Sequence, residues 1–415
     1  MQTDLAPWMR NMPEGAHAEE ILRRCVHCGF CLATCPTYQE LGDELDSPRG
    51  RIYLIKQMLE GNEVSATTQQ HLDQCLTCRG CETTCPSGVE FGRLIDIGRS
   101  VAAQRVSRKP VQRVQRALLR HGLNSPLIGP VVALSRMFRR FLPAVLRNQL
   151  SVWRGTRRLP STRGSHQRRV ILLQGCVQPA LIPSIDQATI RVLDAVGIGA
   201  QTVPGAVCCG AINFHLDAQD KARKQMRRNI DAWWPALGSG AFECIVSNAS
   251  GCGAMLREYA RHLHDEPDYA EKAVTLSRAV RDISEVLSPH AGLLKSKMAK
   301  VNGQPYVFHP PCSLQHWQRL AGVTESLLHD LGIELRPLEE SHLCCGAAGT
   351  YSLTQPALSR RLRDRKLAHV AAVTPSGIIS SNIGCITHLQ GGTDLPVFHW
   401  VEVIDERLRA RTPVQ

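Results

Sequence analysis

Eight of the 17 cysteines in this 415-residue chain lie in two copies of one spacing. The first copy is Cys25-x2-Cys28-x2-Cys31-x3-Cys35-Pro36 and the second is Cys75-x2-Cys78-x2-Cys81-x3-Cys85-Pro86. Thiolates in such a run hold [4Fe–4S] clusters, and the fourth cysteine of each run ligates the cluster of the other. The first three sulfurs sit on a tight curl that grips one cube, while the fourth, at the start of an outgoing helix, reaches a separate one. The spacing assigns Cys25, Cys28, Cys31 and Cys85 to cluster one, and Cys35, Cys75, Cys78 and Cys81 to cluster two. A pair of zinc sites or a disulfide framework is the plainer alternative, but zinc has no use for the third cysteine or for the trailing Cys-Pro. Two such clusters form a relay that moves electrons singly, tuned by burial and by hydrogen bonds to sulfur.

A second cysteine set repeats along the chain. Cys176, Cys208, Cys209 and Cys252 are matched by Cys312, Cys344, Cys345 and Cys385, at offsets of 136 residues for the first three and 133 for the last. Apolar runs at 170–173 and 306–308 precede the first cysteine of each set, and Cys-Cys-Gly follows in both. This agreement reads as two homologous halves. Each set can hold a [4Fe–4S] cluster or a zinc ion; the plainer reading is that the Cys-Cys-Gly turns only stabilise the fold. Cys244 is left over and reads as a buried strand thiol. His215, His309, His316, His342 and His388 lie near these cysteines and read as surface groups or hydrogen-bond donors, not as ligands.

The elements that must position these residues fall into separate regions. Residues 1–105 read as a helical domain, because apolar positions at 51–59 recur at helical spacing and the 39 residues between the cysteine runs exceed what a small βαββαβ unit needs. Residues 106–168 form a basic connector, with an amphipathic stretch at 132–150 and a breaker-rich piece at 154–165. Residues 169–300 and 301–415 are the two halves, where short apolar runs alternate with helical patterns at 188–196, 270–287 and 358–371. That alternation indicates α/β units with parallel strands. The expected fold is an α-helical ferredoxin-like N-terminal domain followed by two repeated α/β cysteine-rich domains.

Composition narrows the function. The net charge of +12 comes from one block: residues 97–185 hold 17 Lys/Arg and no Asp or Glu, so the rest of the chain is net negative. The block reads first as a docking surface for acidic partner subunits and second as a contact with anionic lipid near a quinone pool. Nucleic acid is the weakest alternative, since few aromatics interleave with the charges and no recognised motif is present. The N-terminus has no signal-peptide pattern, and the longest apolar cluster, at 127–134, is short and contains Pro130. A cytoplasmic protein, peripheral on the inner membrane face, is expected. The sequence has no G-x-G-x-x-G opening a βαβ unit, no G-x-S-x-G, no H-E-x-x-H and no Walker A loop, so electrons must be collected from a substrate by another chain.

Longer stretches carry a resemblance. Arg24-Cys-Val-His-Cys-Gly-Phe-Cys-Leu-Ala-Thr-Cys-Pro-Thr-Tyr38 is followed by Asp46-Ser-Pro-Arg-Gly-Arg-Ile52, by Asn229-Ile-Asp-Ala-Trp-Trp-Pro235 and by Ser341-His-Leu-Cys-Cys-Gly-Ala-Ala-Gly-Thr-Tyr351. With the second cysteine run and Ala249-Ser-Gly-Cys-Gly253, these resemble the iron–sulfur subunits of bacterial glycolate oxidases, along essentially the whole chain. The halves resemble the CCG domains of heterodisulfide reductase subunits, except that Ala249 and Asn382 stand where the fullest motif has a further cysteine. The resemblance implies FAD-containing partner subunits that oxidise glycolate to glyoxylate, with D-lactate as another substrate. Electrons then pass through the two clusters to membrane quinone. No residue of this chain is then catalytic, and FAD stays on the partners. Iron–sulfur subunits of lactate-utilisation and anaerobic glycerol-3-phosphate dehydrogenase complexes share the layout and are the alternative.

Overall fold

The computed structural model describes residues 1–125, 127–138, 159–160, 166–300 and 305–411. Its N-terminal region is helical. Ser47 accepts a hydrogen bond from the Gly50 N–H and Pro48 occupies the first turn, so the helix Pro48–Leu59 starts sharply. It buries Ile52, Ile55, Met58 and Leu59 and stops before Gly61, whose φ is +100°. The helix Phe91–Arg105 crosses it at Gly98, where a Cβ would come within 2.7 Å of the Ile55 side chain.

The two halves each form a four-stranded, wholly parallel sheet. The strands are β1 (Arg168–Leu172), β2 (Ile198–Gln201), β3 (Ile245–Ser247) and β4 (Val280–Asp282), then β5 (Tyr306–His309), β6 (Leu335–Arg336), β7 (Ile378–Ser380) and β8 (Val397–His399). The orders are β2-β1-β3-β4 and β6-β5-β7-β8, so the internal repeat seen in the cysteines extends to topology. Central strands such as β3 and β7 are buried throughout, as parallel strands covered on both faces must be. The halves share one core: Val170, Ile185 and Val192 pack in the same cluster as Val307, Ile379 and Trp400. Arg191 adds a two-pronged ion pair to Asp405 at 2.7 Å.

The helical pattern expected at 270–287 is broken. The helix Ala270–Ala279 ends where Val280 turns extended and joins β3 through β4. Asp282 then caps the helix Ile283–Leu287 in a capping box with Glu285. Periodicity alone misses such a strand, because its buried residues also fit the helical spacing. In the connector, helices span Pro110–Asn124 and Ile128–Met137. Most of the expected amphipathic stretch and of the breaker-rich piece lies outside the described residues. Among those residues, no helix is long and apolar enough to cross a membrane.

Candidate metal centres

The two N-terminal cysteine runs fold alike. His27 and Gly29 flank Cys28, Thr77 and Arg79 flank Cys78, and all four have left-handed backbones, with φ of 55°, 85°, 53° and 60°. These reversals wind each run into a curl and aim N–H groups at sulfur. The Thr77 N–H donates to Cys75 Sγ at 3.3 Å, and the His27 N–H bonds Cys25. A left-handed arginine costs roughly 1–2 kcal/mol. Arg79 is held there by a bidentate ion pair to Glu258, one arm at 2.9 Å, and by the Trp317 ring 3.5 Å from its guanidinium carbon.

Cys25, Cys28, Cys31 and Cys85 line one cavity of about 430 Å³, and Cys35, Cys75, Cys78 and Cys81 line a second of about 300 Å³; Cys81 borders both. Only Cys35 caps an outgoing helix, Pro36–Leu41, whereas Cys85 leads into a turn and the next helix begins at Phe91. The first cavity reaches the surface, where Cys28 is exposed and Val26 and Phe30 stand 67% and 63% open to solvent. Around the second, Cys35, Cys75 and Cys81 are buried and Cys78 is half-buried. Burial, followed by the neighbouring thiols, pushes Cys31 up to about 11 and drives Cys78 and Cys81 well above the ordinary thiol value. Clustered soft donors with N–H groups aimed at sulfur suit iron–sulfur clusters.

Behind the second cavity lies a buried brace. Arg51, 1% exposed, donates to Asp46 Oδ1 at 3.0 Å, to Thr37 Oγ1 at 3.0 Å and to the His71 carbonyl at 2.8 Å. Thr37 Oγ1 lies 3.2 Å from Cys35 Sγ, and His71 Nδ1 lies 3.1 Å from Asp46. The Asp46–Ile52 stretch thus fixes the one ligand that the first run sends across to the second cavity.

In the halves, every candidate cysteine sits at the C-terminal end of a strand, where the strand order reverses and α/β sheets place their sites. Cys176 and Cys312 follow β1 and β5, the Cys-Cys-Gly turns follow β2 and β6, and Cys252 and Cys385 lie on the helices after β3 and β7. Cys176 and Cys208 are 3.3 Å apart, Cys312 and Cys344 3.9 Å. Hydrogen bonds from the Cys176 and Cys209 thiols hold Cys208 below the ordinary value, at the expense of those two donors, which are raised. Asn382, at the motif position lacking a cysteine, instead caps its helix by accepting from the Gly384 N–H. Cys244 is half-buried and precedes β3 instead of lying within it.

The halves relate differently to the N-terminal cysteines. Cys176, Cys208, Cys209 and Cys252 lie in the core of their own half. Cys312 and Cys344 share a small core with Cys78 of the second cavity, together with Leu76 and Tyr351. The Tyr351 hydroxyl donates to the Gln74 carbonyl at 3.0 Å and the Trp317 Nε1–H to the Thr77 carbonyl at 2.8 Å, locking that contact. Of the histidines set aside from sequence, His316 bonds Thr83 and the His342 carbonyl, and His388 bonds Ser359. His309 departs from the expectation: it is buried beside Cys345 and Cys385. Its only signal in the sequence is its place at the end of an apolar strand three residues before Cys312.

Residues 21–89 match the 4Fe-4S dicluster domain, and residues 170–257 and 306–390 each match the Cysteine-rich domain. The chain is 47% identical over 409 residues to the glycolate oxidase iron-sulfur subunit of Escherichia coli (strain K12), covering 98% of this chain and 99% of that protein. The chain belongs to the family of glycolate oxidase iron–sulfur subunits. A probable glycolate oxidase iron-sulfur subunit of Bacillus subtilis (strain 168) is 30% identical, with 90% and 89% of the two chains covered. Lactate utilization protein A of Bacillus licheniformis is 28% identical over 58% of this chain and all of its own length. Membership in the glycolate oxidase family makes the chain an iron–sulfur protein, and all eight cysteines of the paired runs fall inside the dicluster match.

Proposed function

We propose that this chain is the electron-transfer subunit of a glycolate-oxidising enzyme and carries out no substrate chemistry itself. FAD-bearing partner subunits oxidise glycolate to glyoxylate, and this chain conveys their electrons toward quinone. Single-electron transfer is the chemistry that two [4Fe–4S] clusters supply when bound. Cys25, Cys28, Cys31 and Cys85 are assigned to cluster one, and Cys35, Cys75, Cys78 and Cys81 to cluster two. The observation that carries the reading is that Cys81 borders both cavities, so the two candidate cluster sites adjoin, and that the first opens beside the exposed Val26 and Phe30. Val26 and Phe30 offer the flavin subunits an apolar landing beside the exposed ligand Cys28. The 47% identity favours glycolate over the lactate-utilisation alternative. Iron and sulfide counts with EPR after anaerobic purification test this reading. About eight irons and two interacting cubane signals are expected; fewer than about four irons in a preparation shown to retain its clusters would overturn it.

Quinone delivery calls for a membrane contact, and the connector offers one. The helix Pro110–Asn124 is turned inside out. Arg116 faces inward to Asp217 at 2.9 Å and to Asp73, and Arg120 and Gln115 donate to the Leu216 and Leu353 carbonyls. Val111, Val114 and Leu118 face water, 78%, 59% and 68% exposed, and Leu127, Val131, Leu134 and Phe138 continue the exposed row. Within a block of 17 positive and no negative charges, an apolar face of this kind fits an anionic lipid surface. Flotation with phosphatidylglycerol-containing vesicles checks this: binding is expected, weakened by salt and lost in the V114E/L118E double variant. Binding to the flavin subunits that is lost in the same variant, without vesicle binding, would make the face a protein contact instead.

A further inference from the structure

The two halves have the same cysteines but not the same surroundings. His309 ends β5, is 1% exposed, and has a hydrogen-bond partner on neither ring nitrogen. Two unpaired ring nitrogens in a dry interior carry an uncompensated desolvation penalty unless something binds one of them. Sulfur lies beside the ring: a ring nitrogen of His309, Cys345 Sγ and Cys385 Sγ all lie within 4.8 Å of one another. Cys344 adjoins Cys345 in the same turn, and Cys312 lies 3.9 Å from Cys344. Lys366, 2% exposed, stands beside Cys344 and Cys345, donates to the Glu340 carbonyl, and places a buried cation where thiolates would gather.

The first half has none of this. At the position 136 residues before His309 it has Leu173, a buried aliphatic residue. On the matching helix, where Ala222 faces Gly210 as Ser359 faces Gly346, the counterpart of Lys366 is the neutral Asn229. A histidine and a lysine kept out of water in one copy, against a leucine and a neutral amide in the other, indicate that one half is built around negative charge and a nitrogen donor.

We infer that the second half holds a third iron–sulfur centre, bound by Cys312, Cys344, Cys345 and Cys385, with His309 as its nitrogen ligand. Four sulfurs and an imidazole exceed the four donors of a tetrahedral zinc site and also the four terminal positions of a regular cube, so at least one iron of this centre takes two protein donors. A neutral imidazole in place of a thiolate leaves such a centre less negative, which raises its potential, as it does in Rieske centres. The packing of Cys312 and Cys344 against Cys78 puts this centre next to cluster two. The inference rests on the two-cluster reading above and extends it by one centre; the first half's thiols are left without iron.

The full chain, isolated anaerobically, decides it. About twelve irons are expected, together with a third EPR signal that shows nitrogen coupling in pulsed spectra and changes isotope pattern when histidine is labelled with ¹⁵N. The H309L variant, which installs the residue of the first half, is expected to lose the nitrogen coupling and shift the third centre's potential downward or lose about four irons, while both cubane signals persist. Those persisting signals report that the variant is folded. C345S is expected to lose the third signal alone. Eight irons with both cubane signals and nothing further, or eight irons plus one zinc, would overturn the inference and leave the two-cluster reading intact. Twelve irons without nitrogen coupling would remove His309 from the ligand set. Loss of the cubane signals in the unmodified chain would defeat the underlying reading instead.

Discussion

Arg51 and Asp186 show two fates of a buried charge. Arg51 is surrounded by acceptors from Asp46, Thr37 and His71, so its desolvation is offset. Removing it leaves Asp46 buried against a neutral neighbour, which typically costs about 3–5 kcal/mol. R51M is therefore expected to unfold at distinctly lower urea concentration and to lose the signal assigned to cluster two, because Cys35 loses its brace. Retention of both cubane signals in R51M would show that the brace is not needed for ligand placement. Asp186 is only half satisfied. Gln178 and Asn248 each donate to Oδ1 at 2.8 Å, but Oδ2 has no partner, and burial pushes the carboxyl up to about 6. A carboxyl raised in the folded state favours folding fully below its unfolded value near 4 and loses that contribution as pH rises through about 6. D186N is expected to be more stable than the parent at pH 7, by about 2–3 kcal/mol, with the gap closing below pH 4. Equal stabilities across that range would mean that a neighbour already neutralises Asp186.

At the scale of elements, the Cys-Cys-Gly turns show why the repeat retained its glycines. Gly210 and Gly346 have φ of +96° and +89°, a conformation that costs other residues about 1–2 kcal/mol. The space beside them differs. A Cβ on Gly210 would stand 3.3 Å from the Ala222 carbonyl oxygen, whereas one on Gly346 would stand 2.6 Å from that of Ser359. Both alanine variants should be destabilised, and G346A should lose more than G210A in thermal melts, with its damage centred on the second half. A reversed order would mean that the helix Pro356–Ala372 yields more readily than its packing indicates. The connector helix makes a related point. Two of its three arginines, Arg116 and Arg120, are structural, while Val111, Val114 and Leu118 are available, so the usual assignment of a basic helix's charged face to solvent fails for most of this helix.

Across the whole molecule, the helical domain is clamped by both halves. Glu258, on the first half, pairs with Arg79 and with Arg261, which also reaches Asp96 at 3.0 Å. Burial works to raise the Glu258 carboxyl, but the adjacent Arg79 and Arg261, with His262 close by, bring it down to about 2. Its contribution is thus complete above pH 4.5 and is lost as pH falls toward 2. E258Q leaves Arg79 short of a counter-charge and should loosen the docking at neutral pH, read as faster amide exchange in the helix Phe91–Arg105. The same variant should flatten the acid limb of the stability profile. An unchanged acid limb would mean that the Glu258 charge does not govern the docking.

The sequence alone determined the paired cysteine runs, the doubled α/β half and the family, because ligand spacing and an internal offset are local or periodic properties that survive without coordinates. It also marked the connector as basic. It did not reveal β4, since a three-residue strand between two helices, whose one apolar residue Val280 keeps the helical spacing, has the same apolar periodicity as a helix. Nor did it reveal that Arg116 points inward, that Cys78 meets Cys312, or that His309 is buried beside Cys345 and Cys385. Those facts depend on which surfaces meet across hundreds of residues, and only tertiary packing, which excludes water from some polar atoms and leaves others paired, decides them.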